Sequence, residues 1–159
     1  MYLCAVYEVK KDMENDSAKA AAARILDNYL ERRGHRKTSE RYAILEAVYA
    51  AEGHFTLEEL AGRLEQGRFP VSRATLYNTL RLFVELRIVT RHNLDGTTNY
   101  EACLKHGDHS HLICTHCGRV WEVESLEVGN VIRHLKTDGF QPDDYTLYIY
   151  GVCAECGGK

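Results

Sequence analysis

The chain has 159 residues, 45 % hydrophobic and 27 % charged, a globular mixture that excludes a disordered polymer and leaves room for one domain or two small ones. A formal net charge of −3 argues at first sight against a nucleic-acid partner, but residues 1–92 carry +2 and residues 93–159 carry −5, so a basic face in the first half stays open. No apolar run approaches the roughly 20 residues needed to span a bilayer, and the first residues lack the basic start and long apolar core of an export signal, so the chain reads as cytoplasmic with no membrane partner.

Residues 1–16 form an N-terminal extension in which Tyr2, Leu3, Val6, Tyr7 and Val9 alternate weakly, as in an accessory strand or a loose arm. Ser17 opens an amphipathic helix that runs to about Arg33 and stops at Gly34; a second starts near Thr38-Ser39-Glu40 and runs to Glu52-Gly53. Thr56 caps a third, with Leu57, Leu60, Ala61 and Leu64 on one face. Ser72 caps a fourth, from Arg73 to about Leu86, buried through Leu76, Leu80 and Phe83. Val89–Leu94 and Thr97–Glu101 flank Asp95-Gly96, a two-residue hairpin signal, and a hairpin after such a helix is a wing. Residues 17–101 therefore read as a winged helix-turn-helix. Arg73, Thr75, Tyr77, Asn78 and Arg81 lie away from the Leu/Phe face and offer base-edge and phosphate contacts. The same face could be merely solvated, and small winged helices also dock proteins.

Cys114-Thr115-His116-Cys117 and Cys153-Ala154-Glu155-Cys156 are two C-x-x-C pairs separated by 35 residues that read as a helix and a strand. Two intervening residues let a tight knuckle hold a thiolate pair on one tetrahedral ion, and four thiolates leave no open position, so structural Zn2+ is the expectation. A redox dithiol beside an incidental pair, or a mononuclear iron–sulfur centre, uses the same residues. Gly118 and Gly157 follow the pairs where a knuckle often needs positive φ. Upstream, His109 and His111 share one face of a strand, with Glu101 and Glu122 on flanking strands as oxygen donors. Such N/O ligation suits Fe2+, Mn2+, Co2+ or Zn2+.

At this point the chain resembles the ferric uptake regulator family across about residues 20–157. The match rests on Arg73-Ala74-Thr75-Leu76-Tyr77-Asn78-Thr79-Leu80, on His109-Ser110-His111-Leu112-Ile113-Cys114-Thr115-His116-Cys117-Gly118, and on Leu147-Tyr148-Ile149-Tyr150-Gly151-Val152-Cys153. The resemblance implies an α+β chain: an N-terminal winged helix-turn-helix, a hinge near residues 100–108, and a C-terminal α/β dimerisation domain over residues 109–159 with Cys114, Cys117, Cys153 and Cys156 on structural zinc. It implies a homodimeric repressor of metal-homeostasis genes that binds double-stranded operator DNA. Its regulatory metal, Fe2+ foremost with Zn2+ or Mn2+ as alternatives, would sit on His54, Glu101, His109, His111 and Glu122. For DNA it points to Tyr77 on thymine methyls and to Arg36 or Lys37 on phosphates or the minor groove. Asn78 stands where many members have arginine, which would shift preference toward adenine.

Two departures bear on the metal. A further family site maps onto Asp108, Ser110, Glu127 and Tyr145, and without its imidazoles it is absent or weak. The segment from Tyr100 to His111 aligns from either end, so Cys103 competes with Glu101, and a thiolate would favour zinc. A peroxide-sensing member ranks third. Outside the family stand a zinc enzyme, for which no His-Glu-x-x-His helix is present, and a zinc-binding adaptor.

Overall fold

The computed structural model describes residues 2–94, 96–103, 109–124, 126–135, 139–140 and 145–157, with side chains described in these ranges except at residues 2–14, Leu94, His109, Glu124, Leu126 and Arg133. The chain divides into two compact units, Met1–Lys105 and His106–Lys159.

The first unit opens with α1 (Tyr2–Arg33), so the segment expected as a strand or arm is helical instead. The reason is legible in composition: no glycine or proline occurs before Gly34, and five alternating residues do not outweigh a continuous run of helix formers. Gly34, at φ 64, ends the helix while the His35 N–H reaches back to the Leu30 carbonyl at 2.8 Å. Ala18, Ala22, Leu26 and Leu30 recur every fourth residue and are all buried. They pack with Ile44, Leu45, Val48 and Tyr49 of α2 (Ser39–Ala50).

α3 (Leu57–Gln66) and α4 (Arg73–Glu85) begin where the side-chain caps predict. Thr56 and Glu59 form a reciprocal capping box, with the Glu59 N–H on Thr56 Oγ1 at 3.2 Å and the Thr56 N–H on Glu59 Oε2 at 2.7 Å. Ser72 Oγ accepts from the Thr75 N–H at 3.0 Å. Leu60 and Leu64 face Leu76, Leu80 and Phe83 in one core. β1 (Val89–Leu94) and β2 (Thr97–Ala102) pair antiparallel with Leu94 opposite Thr97, the register a two-residue loop imposes, and Gly96 takes φ 74. An isolated bridge adds to β2: the Phe55 N–H meets the Tyr100 carbonyl at 2.9 Å and the Tyr100 N–H meets the Phe55 carbonyl at 2.8 Å. Tyr49, buried in α2, donates its hydroxyl to the Cys103 carbonyl at 2.7 Å and ties the helices to the hairpin's end.

The second unit is a three-stranded sheet, β3 (His109–Cys114), β4 (Val120–Glu124) and β5 (Leu147–Gly151), in the order β4-β3-β5, with α5 (Leu126–Arg133) between β4 and β5 in sequence and a four-residue α6 (Ala154–Gly157) at the end. β3 pairs antiparallel with β4 and parallel with β5, with Cys114 opposite Gly151. Among the described residues no helix is long and apolar enough to cross a membrane.

Two substitutions check the first unit. Leu80→Ala, at a fully buried position, should cost about 2–5 kcal/mol in urea unfolding. Thr56→Ala, which removes half of the capping box, should cost about 1 kcal/mol.

Candidate metal centres and recognition helix

The thiolate cluster follows from the parallel pairing in the second unit. Because β5 runs beside β3 in the same direction, the two strands end side by side, and the segments that leave them carry the two C-x-x-C pairs. The Thr115 N–H donates to the Gly151 carbonyl at 2.8 Å and extends that pairing into the first knuckle. The ligand atoms of Cys114, Cys117, Cys153 and Cys156 all lie within 4.8 Å of one another. Cys117 Sγ and Cys153 Sγ are 3.9 Å apart, close to the edge of about 3.8 Å of a tetrahedron with Zn–S of about 2.3 Å. Backbone N–H groups supply the electrostatics: the Cys153 N–H points at Cys114 Sγ from 3.4 Å, and such contacts pull the Cys114 thiol down to about 6. Hydrogen bonding with the sulfurs of Cys153, Cys117 and Cys114 pushes the Cys156 thiol up to about 12. The donor set therefore fits structural zinc. Arg119 and Glu155, each beside a cysteine pair, clip the knuckles with two bonds of 2.7 and 2.8 Å. Gly118 takes φ 70 as expected. Gly157 does not; its N–H closes a short helical turn on the Cys153 carbonyl at 2.8 Å.

The second group arises in the first unit from the bridge and the hairpin. His54 precedes Phe55 and Glu101 follows Tyr100, so pairing Phe55 with Tyr100 brings His54 to the carboxylate. Register brings a residue that sequence reasoning missed: Thr90 opposes Glu101 and His92 opposes Asn99, so His92 shares a sheet face with Glu101 as a diagonal neighbour. His54 Nε2 lies 3.5 Å and His92 Nε2 3.2 Å from the same oxygen, Glu101 Oε2. Donors about 2.1 Å from one ion stand about 3.0–3.4 Å apart, so the spacing fits a divalent cation. His92 is 2 % and Glu101 4 % exposed, which keeps a competing water shell away. The signal for His92 was available in the Asp-Gly loop, which fixes the register.

Cys103, the competing donor, is absent from this group: its Sγ lies 2.9 Å from Thr90 Oγ1. In the second unit His111 is buried, stacks on Tyr148 with ring centroids 5.4 Å apart, and stands directly opposite Glu122 across the β3–β4 pair. The side chain of His109 and the hinge residues 104–108 lie outside the described residues. Of the four positions of the further family site, Ser110 is 3 % exposed with a hydroxyl that makes no hydrogen bond among the described residues, Tyr145 is half-buried, Glu127 is exposed, and Asp108 is not described.

On α4 the structure exposes Arg73, Tyr77, Asn78 and Arg81, with Tyr77 52 % accessible. Thr75 is half-buried and spends its hydroxyl on Ser72 Oγ at 2.8 Å. Arg73 is paired with Glu58 of α3. Lys37 is held by Asp27 at 3.1 Å and Glu31 at 2.8 Å, while Arg36 is exposed and its carbonyl accepts from Arg41 at 2.6 Å.

A winged helix-turn-helix joined to a four-thiolate sheet, with a second imidazole–carboxylate group on its wing, defines the metal-binding winged-helix class. The "Ferric uptake regulator family" profile matches residues 32–150, and the chain belongs to that family. It is 36 % identical over 135 residues to the peroxide operon regulator of Bacillus subtilis, covering 82 % of this chain and 90 % of that protein. Against the ferric uptake regulation protein of Escherichia coli K12 it is 33 % identical over 128 residues, covering 79 % and 86 %. The structure of the ferric uptake regulator of Pseudomonas aeruginosa with manganese superposes with a TM-score of 0.69 at 28 % identity, covering 80 % of this chain and 97 % of that one.

Cys153→Ser should abolish thiolate-bound zinc and unfold the second unit, read as loss of one tightly bound zinc per chain together with loss of β signal in circular dichroism. His92→Ala should leave that zinc in place but weaken a second divalent ion by more than about tenfold in chelator competition, since it removes one converging donor.

Proposed function

We propose that the protein is a homodimeric, metal-responsive transcriptional repressor that binds operator DNA through α4 and is switched by Fe2+. The observation that carries this reading is the convergence of His54, His92 and Glu101 on the wing of the reading unit. An ion there, drawing its remaining donors from among His109, His111 and Glu122 of the second unit as the family resemblance implies, would fix the angle between reader and dimerisation unit. Zinc on Cys114, Cys117, Cys153 and Cys156 supplies a rigid frame and no open coordination position.

The mechanism is a shift of population. Apo protein samples many reader orientations; the ion binds best to the one that sets two α4 helices in successive major grooves, and DNA selects the same one. Tyr77, Asn78 and Arg81 are exposed for base and phosphate contact. Donors of nitrogen and oxygen with no thiolate support Fe2+ over a zinc-selective site, because Cys103 is occupied with Thr90. The second copy is taken at the second unit: β5 is an edge strand, and Ile149, Tyr150 and Val152 at its end are 46 %, 64 % and 50 % exposed, more apolar surface than an isolated edge tolerates. The reading assigns no catalytic activity to the chain.

The test is DNA binding by zinc-retaining protein freed of exchangeable metal, titrated anaerobically with Fe2+, Mn2+ and Zn2+. Fe2+ should tighten binding about 5- to 150-fold, His54→Ala should abolish that gain, and Cys103→Ser should retain it. Zinc-selective activation lost in Cys103→Ser would move the reading to a zinc sensor, and metal-independent binding would overturn the switch. The likeness to a peroxide operon regulator supports a second reading, in which peroxide treatment of the Fe2+ form adds one oxygen to a ligand histidine and releases DNA; mass spectrometry of the treated protein decides it.

A further inference from the structure

α3 and α4 both end on an arginine in the left-handed region, Arg68 at φ 58 and Arg87 at φ 54, but among the described residues only Arg87 has a further interaction within the protein. The closing bonds of α3 run from the Gly67 N–H to Arg63, from the Arg68 N–H to Glu65 and from the Phe69 N–H to Leu64, the last at 2.9 Å, a pattern that requires one residue in the left-handed region. That residue is Arg68, at φ 58, although a glycine stands one position earlier at φ −72. After α1 the same task falls to Gly34. A side chain with a Cβ is strained in this conformation and glycine is not, so arginine is the costly choice at a helix end. Strain of this kind clusters at functional sites.

The side chain is not needed inside the protein. Arg68 is exposed, and its guanidinium makes no hydrogen bond or ion pair among the described residues. Lys37 and Arg73, two cations expected to meet DNA, are both tied to carboxylates. Arg68 sits in the turn of the helix-turn-helix, four residues ahead of the Ser72 cap of the recognition helix. In this motif the N-terminal end of the recognition helix enters the major groove while the preceding helix crosses the backbone, and the turn joins the two. We propose that Arg68 is a phosphate-contacting residue, kept in a strained conformation because its charge faces the DNA backbone beside α4; this rests on the DNA-binding reading above.

The experiment uses the full chain with zinc and Fe2+ bound, and a duplex selected by the wild type from a random pool, measured by fluorescence anisotropy across salt. Arg68→Gly should relieve strain and raise the melting temperature by about 2–4 °C, while DNA affinity falls about tenfold and the log–log salt slope becomes less negative by about 0.9 per protomer. Arg68→Lys should keep the wild-type slope, and Arg68→Ala should lose it as glycine does while the strain remains. A more stable Arg68→Gly with undiminished affinity and slope would overturn the inference and leave the regulator reading intact. A wild type that selects no duplex would overturn both.

Discussion

Two backbone hydrogen bonds between Phe55 and Tyr100 decide where the chemistry of the first unit sits. They join the loop after α2 to β2, the inner strand of the wing, and because side chains alternate along strands, the residues next to that bridge, His54 and Glu101, meet. The hairpin register then delivers His92 to the same carboxylate oxygen. A slip of one residue in either pairing would turn these donors to opposite faces. The Tyr49 hydroxyl bond to the Cys103 carbonyl and the packing of Phe55 and Tyr100 in the core hold the register in place. The imidazole–carboxylate group is thus built on the same backbone ladder that shapes the wing, so under the proposed function a force on a bound ion would be a force on the reader.

The second unit solves a different problem. A three-stranded sheet with two short helices buries little apolar surface: among its described residues only Ile113 and Cys114 are buried hydrophobics. Four thiolates on one ion supply the stability that so small a core does not, and the parallel placement of β3 and β5 makes the cluster possible. The four-thiolate donor set suits an ion that is part of the fold, whereas the group on the wing suits the exchangeable ion of the proposed switch. The contrast lies in the donors: four sulfurs that fill a tetrahedron, against two imidazoles and a carboxylate that leave positions for others.

Much of this was legible in the sequence because local chemistry fixes it. Thr56 with Glu59 and Ser72 with Thr75 mark helix starts, Asp95-Gly96 marks the wing, and the two C-x-x-C pairs announce a tetrahedral ion. His54 and Glu101 needed the family resemblance, since 46 residues of chain lie between them and the Phe55–Tyr100 bridge brings them together. His92 was overlooked for the opposite reason. It lies in an Arg-His-Asn run that reads as a solvated wing, and only working through the register shows that it faces inward at 2 % exposure. The start of α1 was misread because a short alternation cannot be told from a helical stripe without the unbroken context that follows. The charge pattern located a basic half but could not say which cations are free, because Lys37 and Arg73 find carboxylates that lie apart in sequence.

The proposed switch is a coupling between an ion on the wing and DNA under α4. Such coupling must be reciprocal: whatever factor the ion contributes to DNA affinity, DNA must contribute to ion affinity. The most direct measurement is a chelator-competition titration of Co2+, a spectroscopic stand-in for Fe2+, into zinc-retaining protein with and without a saturating operator duplex. The account predicts that DNA tightens Co2+ binding by the same factor by which Co2+ tightens DNA binding, and that His92→Ala reduces both together. Equal Co2+ affinity with and without DNA would contradict it, because the ion and the reader would then be independent.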